Sequence, residues 1–308
     1  MNAFLLVRAA PRRYTEAMQD QRDDNREAPG PEEPGPGPGD PAAGPASSAA
    51  GIFDRINNYL LLVYAFACLL MNYSLAGLFY FKDMIYLSLA LPGIFSILIP
   101  FYVLSRRSML GFAREFSFAR PDLKTSGLVL VIAAAAILPV EALSSVFERM
   151  WTPDADYTTF ILSIKPKGPG SFILVAIGIV LVAAVTEELL FRGFIQRIFQ
   201  RNMRGPLAVV LAGILFSLSH FNPPVIPGVA ALGILFGYLF YRTDNLWYPI
   251  AGHAIYNLVM LVRLNETTEE EIVAAKVVPP DMRWTFLSLA ILVSALRLLH
   301  RLHRRSGQ

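Results

Sequence analysis

The chain has a single cysteine, Cys68, in 308 residues. That excludes an intramolecular disulfide and a thiolate metal cluster. Within an apolar run, a lone Cys reads as a small packing residue. Histidine is scarce too, with four in all, and no H-E-x-x-H motif occurs. There is no internal repeat, which weighs against a transporter built from two matched halves. The short alternating strands that a membrane barrel needs are also missing. Charge of either sign is nearly balanced, with a net charge of +3 and a pI near 9.0. The small basic excess lies in loops and tails beside apolar segments, so it orients the chain in a membrane and gives no reason to expect nucleic acid as a partner.

What the chain has in quantity is apolar residues, 54% of the total, with a mean hydropathy of +0.46. Soluble domains sit nearer about 45–50%. The surplus collects into blocks of about 17–25 residues, the length that crosses roughly 30 Å of hydrocarbon. The expected fold is all-α, a polytopic transmembrane helical bundle of about eight spans. They fall near 57–81, 84–104, 126–147, 171–198, 205–221, 225–241, 246–263 and 283–300. The fifth and sixth are short and joined by NPPVIPG, so one of them is expected to be kinked or partly re-entrant.

Basic residues alternate with these spans. Arg106, Arg107, Arg114, Arg120 and Lys124 follow the second; Arg192, Arg197, Arg201 and Arg204 close the fourth. Arg242 follows the sixth, and Arg297, Arg301, Arg304 and Arg305 end the chain. The intervening loops are acidic or poor in basic residues. The positive-inside tendency then predicts a multi-pass protein of the cell membrane with both termini cytoplasmic. Residues 1–51 have only a five-residue apolar patch, too short for a signal-peptide core, followed by a Pro-, Gly- and Ala-rich stretch that reads as a disordered tail. The expected organisation is a tail over 1–51, N-terminal transmembrane helices over 52–170, a helical core over 171–263, and an outer loop, last helix and basic tail over 264–308.

Inside the core, ionisable groups fall at membrane depth. Each costs roughly 2.5–3.5 kcal/mol on insertion scales, so such groups mark a functional site by default. Glu187 and Glu188 are adjacent in FILVAIGIVLVAAVTEELLFRGFI and point about 100° apart on a helix. Arg192 is four residues after Glu188, the favourable order for an i,i+4 ion pair. Glu187 is left without a local partner, and a desolvated, unpaired carboxylate suits a general base. The competing structural reading makes both glutamates counterions to the arginine cluster. His220 and His253 are the two histidines within or at the ends of spans, whereas His300 and His303 lie in the basic tail. Phe216 and His220 share a helix face, as do His253 and Asn257. Phe216 is placed to wall a pocket around the imidazole, and Asn257 offers a neutral amide donor of the kind that stabilises an oxyanion. From helix rise, Glu187 and His220 stand roughly 22–26 Å above the turn at 204–205, with His253 and Asn257 lower, at roughly 10–17 Å.

These motifs, E-E-x-x-x-R at Glu187–Arg192, F-x-x-x-H at Phe216–His220 and H-x-x-x-N at His253–Asn257, come in order, one per successive hydrophobic region. Together they resemble the CPBP family of intramembrane proteases, which includes C-a-a-X prenyl endopeptidases of the Ras-converting type and bacteriocin self-immunity proteins. The resemblance covers about 171–262. It implies an endopeptidase in which Glu187 and His220 activate water, His253 and Asn257 stabilise the tetrahedral oxyanion, and Glu188, Arg192 and Phe216 support the site. The implied partners are membrane lipid and a membrane-anchored or prenylated peptide. No cofactor is expected. A zinc ion held by Glu187, His220 and His253 is the alternative. The rival functions are a non-catalytic immunity or adaptor protein of the same family, and a transporter or proton relay using the same buried groups.

Overall fold

The computed structural model describes residues 51–150, 155–274 and 277–303. The N-terminal tail, Arg304, Arg305 and residues 152–154 of the acidic loop lie outside the described residues. The described residues are helical, without strands.

All eight expected segments form helices. We number them α1 Asn58–Phe81, α2 Ile85–Ser105, α3 Leu123–Glu148, α4 Pro169–Asn202, α5 Gly205–Leu218, α6 Pro223–Thr243, α7 Trp247–Glu266 and α8 Met282–Leu302. Six of these are long and apolar enough to cross a membrane. The expected count of about eight spans is therefore approximate. With 14 residues, α5 reaches only about 21 Å. The 20 residues of α7 are long enough, but His253, Asn257 and Arg263 leave it too polar. Four short helices, Ile52–Arg55, Phe112–Glu115, Ala155–Ile164 and Glu269–Val273, decorate the ends.

Side-chain caps begin several helices. The Asn57 side chain accepts from Tyr59 N at the start of α1, and Asp122 and Asp281 do the same for α3 and α8. Each cap satisfies one of the donors that a helix start leaves unpaired.

The helices alternate in direction. At one end, Asn58 meets Asn202, Arg197 donates to Glu115 O, Tyr248 meets Asp122, Thr125 meets His303, and Arg242 donates to His300 O. These contacts gather the starts of α1, α3 and α7 with the ends of α4, α6 and α8. The arginine-rich segments therefore share one end of the bundle. At the opposite end, Lys165 donates to the Leu264 and Asn265 carbonyls near the end of α7.

Two apolar clusters hold the bundle. One wraps the second half of α4, where Leu189, Leu190 and Phe194 are fully buried against Phe101, Phe116 and Leu246. The other joins α3, α6, α7 and α8 through Ile132, Leu239, Tyr248 and Leu299. The outer helices expose large apolar side chains, among them Tyr59 and Phe66 of α1 and Trp284 and Phe286 of α8. A lipid environment accounts for that exposure.

Candidate active site

The long helix α4 is not uniform. Two stretches of π-helix, Ala176–Ala183 and Phe191–Gln196, flank the α-helical turns Ala184–Leu190 that carry both glutamates. Such widened turns recur at functional sites, because they re-aim side chains that a regular helix would stack.

Glu188 and Arg192 form the expected pair, with Nη1 2.8 Å from Oε1 and both side chains fully buried. The same Glu188 Oε1 also lies 2.8 Å from His253 Nδ1. Glu188 therefore joins α4 to α7, beyond the local ion pair read from spacing. Arg192 donates from Nη2 to the Gly233 carbonyl of α6 at 2.9 Å, and its guanidinium lies 4.4 Å from the centre of the Phe216 ring. One charged pair thus ties four helices. Each charge is paired and hydrogen-bonded, which offsets part of the cost of burial, while Glu188 Oε2 and Arg192 Nε are buried without a partner among the described residues.

Glu187 is not sealed in. Its side chain is about a third exposed, and Oε2 lies 3.9 Å from His253 Nε2. That separation is too long for a hydrogen bond. It leaves room for a small ligand atom beside both groups. His253 is buried, stacked on Phe236 at 5.3 Å and 20°, with the Phe216 ring edge-on at 5.8 Å. His220 stands just past the end of α5, with Nδ1 2.9 Å from the Phe216 carbonyl and its ring 4.9 Å from the Phe216 ring. Phe216 therefore lies between the two imidazoles. The turn that carries His220 is held by Tyr73 of α1, whose hydroxyl donates to Ser219 O, and by Phe221 edge-on to Tyr73. Asn257 donates from Nδ2 to Ile179 O at 2.7 Å.

Glu187, His220, His253 and Asn257 all line one cavity of about 760 Å³. The depth estimate that set His253 well below Glu187 does not hold, since their side chains are near neighbours. Among the described residues, no three His, Cys, Asp or Glu side chains converge to hold a metal ion. The Nδ1 atoms of His220 and His253 are engaged by the Phe216 carbonyl and by Glu188, which leaves Nε2 as the nitrogen each ring offers to a ligand.

Residues 169–259 match the family described as type II CAAX prenyl endopeptidase, Rce1-like. Over these residues the chain is similar to that family. No curated protein and no solved structure matches the chain. The Rce1-like segment runs from the start of α4 into α7, and the four cavity-lining site residues and the buried pair all fall within it.

Several contributors to the candidate site carry no sequence signal of their own. Phe236, the Gly233 carbonyl and Tyr73 are apolar, small or aromatic residues in apolar helices, and only the packing assigns them. The pairing of Glu188 with His253 spans 65 residues, and helical spacing gives no access to it.

Proposed function

We propose that the protein is an intramembrane endopeptidase that hydrolyses a peptide bond of a membrane-anchored or prenylated peptide, using water activated by Glu187 and His220. The observation that carries this reading is the convergence of Glu187, His220, His253 and Asn257 on one cavity.

Neutral His220 donates its Nδ1 proton to the Phe216 carbonyl and keeps a lone pair at Nε2. A water beside that nitrogen and the Glu187 carboxylate gives up a proton as its oxygen bonds to the substrate carbonyl carbon. Negative charge then gathers on the carbonyl oxygen. Cationic His253 donates from both ring nitrogens, to Glu188 from Nδ1 and to the oxyanion from Nε2. The Asn257 amide has a second N–H beyond the one that Ile179 O accepts, and it adds a neutral donor. Collapse breaks the C–N bond, and the proton taken from water passes to the leaving amine.

Glu187→Gln and His220→Ala are expected to lower cleavage by about a hundred- to ten-thousandfold, with insertion and thermal stability retained. Asn257→Ala is expected to cost on the order of a hundredfold. Full turnover in either of the first two variants, measured on purified protein with a matched peptide, would end this reading. The proposed chemistry has no metal step, so a strong chelator is expected to leave turnover unchanged. Loss on chelation that zinc restores would replace the mechanism. By the positive-inside tendency, the arginine-rich end of the bundle lies in the cytoplasm, and both termini with it.

A further inference from the structure

The site cavity and the arginine-rich segments lie at opposite ends of the bundle. The cavity is lined by the end of α3 at Glu148, the turn after α5 at His220, the start of α6 at Val225 and the end of α7 at Leu264. It continues to Glu271 and Val278 in the loop before α8. None of its lining comes from the end where Asp122, Arg242 and His303 meet. Glu187 and His253 line the cavity, and the Glu188–Arg192 pair next to them in α4 is fully buried.

From this opposition we infer that the cavity opens on the extracytoplasmic face, so the protein takes peptide segments presented from outside the cytoplasm. The substrate part rests on the endopeptidase reading above; the facing of the cavity does not. The charge of the lining narrows the class further. Among the described residues, Glu141, Glu148 and Glu271 line the cavity, and the one arginine that lines it, Arg263, is already paired with Glu141. Such a lining repels an incoming carboxylate and accepts neutral or basic segments. The substrate is therefore an internal stretch of a membrane-anchored protein or peptide, with its flank outside, rather than a free acidic C-terminus on the cytoplasmic side.

Cysteine labelling tests the facing directly. The chain's one cysteine, Cys68, is buried and is replaced in a Cys68→Ser background. Single variants Met260→Cys, Glu271→Cys and Val278→Cys report on the cavity, and Lys124→Cys and Arg301→Cys on the arginine-rich end. In right-side-out vesicles, a membrane-impermeant maleimide is expected to label the first three, and the last two only after permeabilisation. The reverse pattern, or cavity positions that label only after permeabilisation, overturns the inference. Repeating the labelling with Glu187→Gln added separates facing from activity, because the pattern is expected to stay the same.

The substrate part is tested with single-span reporters that carry a randomised segment on one face or the other. Cutting of outward segments that Glu187→Gln abolishes supports the inference, and preferential cutting of inward segments overturns it. If neither reporter is cut while the labelling stands, the endopeptidase reading fails and the facing survives.

Discussion

Glu188 and Arg192 show how far one residue pair can be read from a sequence. The i,i+4 spacing makes the ion pair legible, and the structure forms it fully buried at 2.8 Å. Its reach to His253 and Gly233 is not legible, because those partners come from other helices. Removing one charge strands the other away from water, so Glu188→Ala is expected to destabilise the protein by about 3–5 kcal/mol. The paired variant Glu188→Met with Arg192→Met is expected to recover much of that loss, since a buried ion pair replaced by apolar volume is often neutral. Thermal unfolding in detergent, run as a double-mutant cycle, checks both. A single variant as stable as the parent would show that the pair is not the tie described. Glu187 contrasts with Glu188. It is adjacent in sequence yet about a third exposed to the cavity, so its replacement should act on turnover and not on folding.

At the scale of elements, apolar block length revealed every long helix, but not which of them reach across a membrane, nor how they cross. The crossing of α5 and α6 depends on Gly213 and Gly233. A Cβ on Gly213 would sit 2.7 Å from Ile234 N, and one on Gly233 would sit 2.7 Å from Gly213 O. Close backbone approach at small residues is how helices pack where lipid removes the hydrophobic drive between them. The sequence shows the glycines but not which of them meet, because that depends on the rotation of each helix about its axis. Gly233→Ala is expected to force the helices apart and to cost about 1–3 kcal/mol. It also disturbs the carbonyl that holds Arg192. Gly127 of α3 offers the control, since nothing lies within 4 Å of a Cβ built there. Gly127→Ala is expected to stabilise by about 0.5–1 kcal/mol through helix propensity. If both substitutions shifted the unfolding temperature alike, the crossing would not be the constraint proposed for it.

For the whole molecule, the arginine-rich end is closed by polar ties between helices distant in sequence, and Asp122 is the one most open to test. Its Oδ1 accepts from Thr125 N at 2.8 Å, capping α3, and its Oδ2 accepts from the Tyr248 hydroxyl of α7 at 2.8 Å. Thr125 in turn meets His303 beyond α8 at 3.0 Å. The hydrogen bonds from Thr125, first among the causes, hold the Asp122 carboxyl down from 3.8 to about 2, with smaller help from Tyr248 and His303. A carboxyl lowered on folding stabilises the folded state above its unfolded value and loses that contribution as pH falls through its folded value. The advantage of the parent over Asp122→Ala is therefore expected to be constant from neutral pH down to about 4. It should then shrink steadily towards pH 2. Unfolding temperatures of the two proteins, measured across that range in one detergent, give the comparison. A gap that widened on acidification, or that closed well above pH 4, would mean that Asp122 does not join the three helices as an ionised cap.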